Sequence, residues 1–394
     1  MKLLHFSDIH IGMENYAKLD PETGLSTRLL DFFSTFDFIV DLSLKEDVDA
    51  VIFAGDAYKT RDPNPTQQRG FGERVARLAK KIPVILVVGN HDTPNAEGKA
   101  NTLDIYSALE IDNVWVSRKP EYLQIPTKSG NLQVVTLPWL HKNDYKTIAE
   151  KLKLLYDKIT PSSPAIFLSH AEIEGASYGS EKGLAIANDV TIPLPLLQDK
   201  RLSYAALGHI HKHQVLSKDP LIVYSGSPTR IDFGEEKEDK GVCLVEINKI
   251  ATGSSNPRND NFIAGFTFIP TNARKFLTIT VTLTGEDSEP NQTILDEIKK
   301  HDLKDKIVRL IINIPAACDK EIQMDKIKKA LSDAHLVAGI SRNVEKADRQ
   351  KIEFGTEVET LTPIDALKKY FEAKKYTPQK QKELEEYASQ LLDS

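Results

Sequence analysis

Cysteine is nearly absent from this chain of 394 residues, which holds only Cys243 and Cys318. Two thiols cannot build a disulfide framework. Both lie in apolar, strand-like runs, so buried thiols in a reducing compartment are expected. No apolar run approaches the about 20 residues that span a bilayer. Met1 leads at once into the strand-like KLLHF, with no secretory h-region. The expectation is a soluble, cytoplasmic protein with no membrane partner. An excess of basic charge is also missing: Lys and Arg number 51 against 57 Asp and Glu, a formal net charge of −6. Any nucleic-acid contact must then be a local patch. Repeats, low-complexity blocks and an aromatic-interleaved base-stacking platform are lacking too. What remains is ordinary globular composition, 40% hydrophobic and 27% charged, with length for two or three domains.

The first half repeats one theme, a short β-branched apolar run ending in a polar or glycine-rich turn. The runs are 2–6, 50–54, 83–88, 132–137, 165–169, 204–207 and 221–224. Between the early ones lies helical spacing, clearest in 26–45, where Leu29, Leu30, Phe33, Phe36, Ile39 and Val40 recur on one face. Strands alternating with helices predict an α/β fold. The pair 241–247 and 262–269 reads as a hairpin that makes the sheet mixed, with 251–260 as its exposed loop. A second unit, 273–355, alternates strand, helix, strand, helix and strand, as a small α+β domain would. The tail, 356–394, reads as two amphipathic helices broken at Thr377-Pro378.

The chemistry-bearing residues cluster at strand ends. Asp8 and His10 follow the first run, and at i and i+2 of an extended segment their side chains would share one side. Asp56 closes the second run, and Gly89-Asn90-His91-Asp92 closes the third. His170 closes a later run, and His209 and His211 another. In α/β sheets the carboxyl ends of strands are where sites assemble. Glycines beside Asp56, Asn90 and His209 would let the backbone come close. Three oxygen donors and four imidazoles suit Mn²⁺, Fe²⁺ or Zn²⁺ better than Mg²⁺ or Ca²⁺. Of ten histidines, five fall in these motifs. His5, His141, His213, His301 and His335 are read as core, surface or supporting residues.

In this order, the motifs resemble those of the calcineurin-like metallophosphoesterase superfamily over about the first 230 residues. The resemblance implies two packed mixed sheets flanked by helices, then a small α+β capping domain and a helical tail. It implies two divalent ions, Mn²⁺ foremost. Asp8, His10, Asp56 and His211 would hold one, and Asp56, Asn90, His170 and His209 the other. His91 becomes the candidate catalytic acid or phosphate stabiliser, and Asp92 the residue that orients it or braces the turn. LLHFSDIHIG, GDAYKTRDPNPTQQ, LGHIHKHQ and YSGSPTRIDFGE resemble the SbcD nuclease branch. That branch implies 3′-to-5′ exonuclease action on duplex ends, endonuclease action on single strands and hairpins, and a homodimer. It also implies a coiled-coil ABC-type ATPase partner, SbcC, bound through the tail. One departure is Lys59, where archaeal members carry histidine.

Lys59, Arg61 and Arg69 lie near the site, with Arg74, Arg77, Lys80 and Lys81 on the next helix. With Ser227 and Arg230 of the GSPTR turn, Lys59, Arg61 and Arg69 are the candidate phosphate contacts of DNA. Leu367, Tyr370, Phe371, Leu384, Tyr387 and Leu391 form the tail's apolar stripes and are the candidate partner contacts. The apolar face of 26–45 is a candidate dimer contact. A small-substrate metallophosphoesterase and a non-catalytic DNA-end scaffold are the competing readings.

Overall fold

In the computed structural model the described residues are 1–96, 98–141, 144–179, 190–249, 262–315, 322–345, 365, 367–368, 370–371 and 376–392. The strands in chain order are β1 Lys2–Phe6, β2 Ala50–Phe53, β3 Val84–Val87, β4 Val114–Ser117, β5 Glu121–Thr127 and β6 Gly130–Leu137. They continue as β7 Ala165–His170, β8 Glu172–Ile173, β9 Thr191–Ile192, β10 Tyr204–Gly208, β11 Gln214–Lys218 and β12 Leu221–Tyr224. The last are β13 Gly241–Lys249, β14 Phe262–Pro270, β15 Phe276–Thr282, β16 Ile307–Pro315 and β17 Leu336–Glu345. The helices are α1 Thr27–Lys45, α2 Pro65–Ala79, α3 Asp104–Ala108, α4 Ile148–Tyr156, α5 Pro290–Lys299, α6 Met324–Ala330 and α7 Pro378–Leu392.

Two six-stranded mixed sheets carry the site, ordered β14-β13-β1-β2-β3-β4 and β11-β12-β10-β7-β6-β5. Within them β1, β2, β3 and β4 are parallel, as are β6, β7, β10 and β12, so each set delivers its carboxyl ends to one edge. β13 and β14 form the expected antiparallel hairpin. Alternation along each strand explains the layering. Leu3, Ile52, Ile85 and Cys243 of the first sheet share a core with Val134, Ile166, Leu168 and Ala206 of the second. On the first sheet's other face, Leu4, Phe6, Val51, Phe53 and Leu86 pack with Phe32, Phe36 and Ile39 of α1 and Phe71 and Val75 of α2. On the second sheet's other face, Val135, Phe167 and Leu207 pack with Ile148, Leu152 and Tyr156 of α4.

The helix starts follow local chemistry. Ser26 caps α1 by accepting from the Leu29 N–H. Asn64 and Gln67 form a reciprocal capping box on α2, with Pro65 at its first position. On the face of α1 considered for a dimer contact, Leu29, Phe36, Ile39 and Val40 are buried in the chain's own core, while Leu30 and Phe33 are half-buried.

The chain divides into two compact units, 1–279 with 301–310 and 330–340, and 280–300 with 311–329 and 341–394. The elements expected after residue 273 are present as β15, α5, β16, α6 and β17, and the three strands form one sheet in the order β15-β16-β17. In the smaller unit, Leu283 N–H donates to the Asn313 carbonyl, and Gln323 N–H to Asn291 Oδ1. The second tail helix begins at Pro378 as expected. The loop 251–260, Cys318 and most of the first tail helix lie outside the described residues. Cys243 is a buried free thiol, as read from its strand. Among the described residues no helix is long and apolar enough to cross a membrane.

Candidate metal centre

Every candidate ligand sits where one of the parallel strands runs out. β1 leads to Asp8, β2 to Asp56, β3 to Asn90, β7 ends at His170, and β10 leads to His209 and His211. Asp8 N–H donates to the Gly55 carbonyl and His10 N–H to the Asp56 carbonyl, so the turns after β1 and β2 lock together. Asp8, His10, Asp56 and His209 all have left-handed backbone, with φ of 53°, 49°, 61° and 99°. The extended-segment argument for Asp8 and His10 therefore fails; twisted turns bring their side chains together. Strain of this kind costs about 1–3 kcal/mol per residue and persists where surrounding structure enforces it. The glycines act as expected. A Cβ on Gly89 would stand 2.1 Å from Asp56 Oδ1, and one on Gly208 2.0 Å from the Ala54 carbonyl oxygen.

The seven candidate donors converge. His10 Nε2 lies 3.1 Å from His211 Nε2, 3.5 Å from Asp56 Oδ2 and 4.0 Å from Asp8 Oδ1. Across Asp56, His170 Nε2 lies 3.4 Å from Asp56 Oδ2 and 2.8 Å from Asn90 Oδ1, and His209 Nδ1 3.2 Å from that same Asn90 oxygen. Asp8 with His10 and His211, His10 with Asp56 and His91, and Asp8 with Asp56 and His170 form three overlapping groups, in each of which the donor atoms lie within 4.8 Å of one another. Asp56 thus stands between the two halves.

A ring of hydrogen bonds aims these side chains. His209 N–H donates to both Asp8 carboxylate oxygens at 3.1 Å, and Ser7 Oγ donates to Asp8 Oδ2 at 2.5 Å. His170 Nδ1 donates to the Ala54 carbonyl at 2.7 Å, which leaves Nε2 for the centre. His211 Nδ1 is paired at 2.7 Å with Glu235 Oε1, and Glu235 is itself buried against Lys240. Such partners fix the tautomer of a metal-binding imidazole and raise its basicity. Glu235 and Lys240 were not singled out from the sequence. They belong to the charged run EEKEDK, which by composition reads as solvated surface; the only signal was the acidic end of IDFGE.

His91 and Asp92 separate into different roles. His91 N–H donates to Asp56 Oδ1 at 2.8 Å, and its Nδ1 donates to the Lys59 carbonyl at 2.7 Å. Its ring stands edge-on to His10, centroids 4.8 Å apart. The Lys59 bond leaves Nε2 as the nitrogen available to the cluster. Asp92 does not bond to that ring. Its carboxylate accepts the N–H groups of Asp56, Ala57 and Gly89 at 3.0 Å. It braces the two loops that follow β2 and β3, the second of the two roles considered for it.

The charges show what the cage is built to hold. Burial alone would push the Asp56 carboxyl up, but His170, His91 and His10 hold it well below the usual range. Burial also raises Asp8, against the pull of His170 and His211. Burial draws His170 and His211 down, yet Asp56 and Asp8 raise the first to about 9, and Glu235 and Asp8 the second to about 9. His10 is held low by its burial. Two carboxylates this deep need positive charge beside them, and a mixed oxygen and imidazole donor set fits divalent ions of intermediate softness.

A calcineurin-like phosphoesterase family model matches residues 1–213, more than half of the chain. The chain belongs to the calcineurin-like phosphoesterase family. It is 27% identical over 262 residues to the DNA double-strand break repair protein Mre11 of Saccharolobus solfataricus. It is 29% identical over 257 residues to the protein of the same name from Sulfurisphaera tokodaii, and 24% identical over 268 residues to the SbcD component of the SbcCD nuclease of Bacillus subtilis. These alignments cover 63%, 63% and 62% of this chain and 61%, 60% and 66% of the relatives, so the chain spans less than two thirds of each relative's length. The SbcD branch expected from the motifs is among them.

The cage fits two divalent ions; Asp8, His10, Asp56 and His211 would hold one, and Asp56, Asn90, His170 and His209 the other. Bound there, such ions supply Lewis acidity and lower the pKa of water. Outside the cage, the candidate DNA contacts divide. Lys59 is half-buried and Arg61 and Arg69 are exposed. Arg61 Nε donates to the Thr93 carbonyl, and Arg69 lies 3.7 Å from Glu73. Arg74 and Arg77 are spent on Asp37 and Asp41 of α1. The GSPTR turn is not free for a phosphate. Ser227 and Arg230 are buried, with Ser227 Oγ bonded to Lys240 and the Arg230 guanidinium bonded to the Glu236 and Glu238 carbonyls. In the tail, Leu367 and Leu384 are half-buried, Tyr370 and Tyr387 exposed and Phe371 buried; the Leu391 side chain is not among those described.

Proposed function

We propose that this calcineurin-like phosphoesterase is a metal-dependent DNA nuclease of the SbcD type. Mn²⁺ is the expected ion. Its actions are 3′-to-5′ exonucleolytic cleavage of duplex ends and endonucleolytic cleavage of single strands and hairpins. The observation that carries the reading is the placement of His91, tethered through Nδ1 beside a seven-donor cage, with relatives named as double-strand-break repair proteins and as part of a nuclease. Asp8, His10, Asp56, Asn90, His170, His209 and His211 hold the ions. His91 Nε2 gives a proton to the leaving oxygen or stabilises charge on the phosphate. Lys59, Arg61 and Arg69 offer the remaining cationic contacts to the DNA backbone, which favours sequence-independent binding. Residues 1–272 are the nuclease domain, 273–355 the capping domain and 356–394 the helical arm. That arm docks on a coiled-coil ABC-type ATPase through Leu367, Tyr370, Phe371, Leu384, Tyr387 and Leu391. The active form is a homodimer in the cytoplasm, associated with the nucleoid when on DNA.

The test uses metal-stripped protein resupplied with Mn²⁺, Mg²⁺ or Zn²⁺ and end-labelled linear duplex DNA. Mn²⁺-dependent cleavage that His91→Ala and Asp56→Ala both abolish is the expected result. Hydrolysis of bis-p-nitrophenyl phosphate without cleavage of DNA, alone or with the ATPase, would replace the nuclease by a small-substrate phosphodiesterase.

A further inference from the structure

Beside α1 the larger compact unit has a cleft of about 500 Å³. Its walls come from the segment joining β14 to β15, from the segment that leads into β16, and from Asp31 and Ser34 of α1. The lining is polar or charged apart from Ala273, whereas pockets for small organic ligands are lined mainly by apolar and aromatic side chains. The frame is fixed by hydrogen bonds. Arg274 Nε and Nη2 donate to the two Asp31 oxygens at 2.7 and 2.6 Å and Nη1 to the Asp305 carbonyl at 2.9 Å, while Asn272 Nδ2 donates to Ser34 Oγ at 3.0 Å. Asp31 is thus matched by Arg274, and Asp302 lies 3.0 Å from Lys306 Nζ. That leaves Asp305 against Lys275 and Lys304, both exposed and neither ion-paired with a described carboxylate. Lys18, exposed on the loop from His10 to α1, belongs to the same group. Burial, then Arg274 and Lys18, hold the His335 imidazole below its usual range against Asp31 and Asp305, so one ring faces all four charges. Its Nε2 is buried with no partner among the described residues. Arg28 also reaches Asp31 but faces Glu235 as well, and Asp333, exposed beside the Lys304–Ala334 bridge, does not line the cleft. With those two set aside, positive charge is in excess, in a chain whose formal net charge is −6.

We propose that this cleft is a second contact for the phosphate backbone of DNA, apart from the metal centre, with Lys275 and Lys304 as its principal residues. Lys18 extends it toward the loop that carries Asp8 and His10. Ammonium groups take phosphates as point charges and release counterions, which adds affinity without reading sequence. Neither lysine belongs to a motif. They come together because the Ile307 N–H donates to the Lys275 carbonyl at 3.0 Å where β15 and β16 begin. The inference rests on the DNA reading above and adds a place where the strand is held beyond Lys59, Arg61 and Arg69.

The test follows binding of a fluorescein-labelled duplex to the metal-stripped full chain by anisotropy, at salt concentrations from about 50 to 200 mM. Each phosphate contact contributes about 0.9 to the slope of log K against log salt. The double variant Lys275→Ala/Lys304→Ala should therefore lower the slope by about 1.8 and weaken binding about 10–100-fold at about 0.1 M salt. Lys275→Arg/Lys304→Arg should keep both near wild type. Removing the same charge elsewhere, with Lys151→Ala/Lys153→Ala on α4, should leave the slope nearly unchanged. In Mn²⁺ the alanine pair at the cleft should raise KM for duplex cleavage and leave kcat for bis-p-nitrophenyl phosphate unchanged. A cleft variant with the wild-type slope, or one matched by the α4 variant, would overturn the inference and leave the nuclease reading standing, since the wild type still binds and cleaves DNA. Loss of tripolyphosphate binding without loss of DNA binding would make the cleft a site for free anions and overturn it as well. Lysine-dependent binding of poly-glutamate alone would overturn it in favour of an acidic protein segment. A wild-type chain that neither binds nor cleaves DNA would overturn the nuclease reading and this inference together.

Discussion

At the scale of single residues, neighbours in sequence have separable duties. His91 is half-buried and makes its side-chain bond to a main-chain carbonyl, so truncating it removes little structure. His91→Ala should lower hydrolysis about 10²–10⁴-fold while metal binding and the thermal midpoint stay near wild type. A proportionate loss of bound metal would reassign His91 as a ligand. Asp92, next along, accepts four N–H groups in the interior. Asp92→Asn turns an amide N–H₂ toward at least one of them, so a loss of about 1–3 kcal/mol is expected. Chemical denaturation should show stability and activity falling together. Lys59 serves His91 through its backbone carbonyl, so Lys59→Ala should leave the pH dependence and kcat of bis-p-nitrophenyl phosphate hydrolysis nearly unchanged. A large fall in kcat would show that the ammonium takes part in the reaction.

At the scale of elements, α1 and α2 form a clamp beside β1 and β2, and polar groups hold its outer side. Arg74 donates to the Phe33 and Gly70 carbonyls and to Asp37, with its guanidinium 4.5 Å from the Phe33 ring centroid. Gly70 permits the closest approach: a Cβ there would meet Phe33 Cζ at 2.1 Å. Gly70→Ala should therefore destabilise the fold by about 1–3 kcal/mol through overpacking, seen as a lower denaturation midpoint with the metal stoichiometry unchanged. This paired face shows that a basic helix seen in sequence does not reveal which of its charges already have partners. Sequence spacing shows that Arg74 and Arg77 lie on one side of α2, but only packing shows that Asp37 and Asp41 stand opposite. The strands tell a similar story. Buried strands such as β2, β3 and β10 are continuous apolar runs and were legible. β4, β5 and β11 escaped detection because they are partly exposed edge strands, with few buried positions and no clean alternation.

For the whole molecule, two sheets, each delivering parallel strands to one edge, place five loops around a common point. The hydrophobic layers do not depend on the ions, since their contacts are apolar side chains from both sheets and the helices. Chelation should abolish hydrolysis, preserve far-ultraviolet circular dichroism and lower the thermal midpoint. Refilling at about 100 times the dissociation constant should restore about 2.7 kcal/mol per site. Global unfolding on chelation would contradict this division between core and centre.

The sequence by itself determined the strand ends and the donors standing on them, because β-branched runs and short polar motifs are local properties. It also determined the need for close backbone approach at Gly89 and Gly208, since no other residue lacks a Cβ. Tertiary structure alone decided which donors face one another, because Asp8 and His209 are 201 residues apart and meet only when the two sheets pack. It also gave Ser227, Arg230 and Arg74 internal partners and set Arg77 against Asp37 and Asp41 at the surface. And it turned Glu235 and Lys240, the ends of a charge run that reads as solvent-facing, into a buried pair behind His211. Burial is a property of the assembled layers, and no window of sequence contains it.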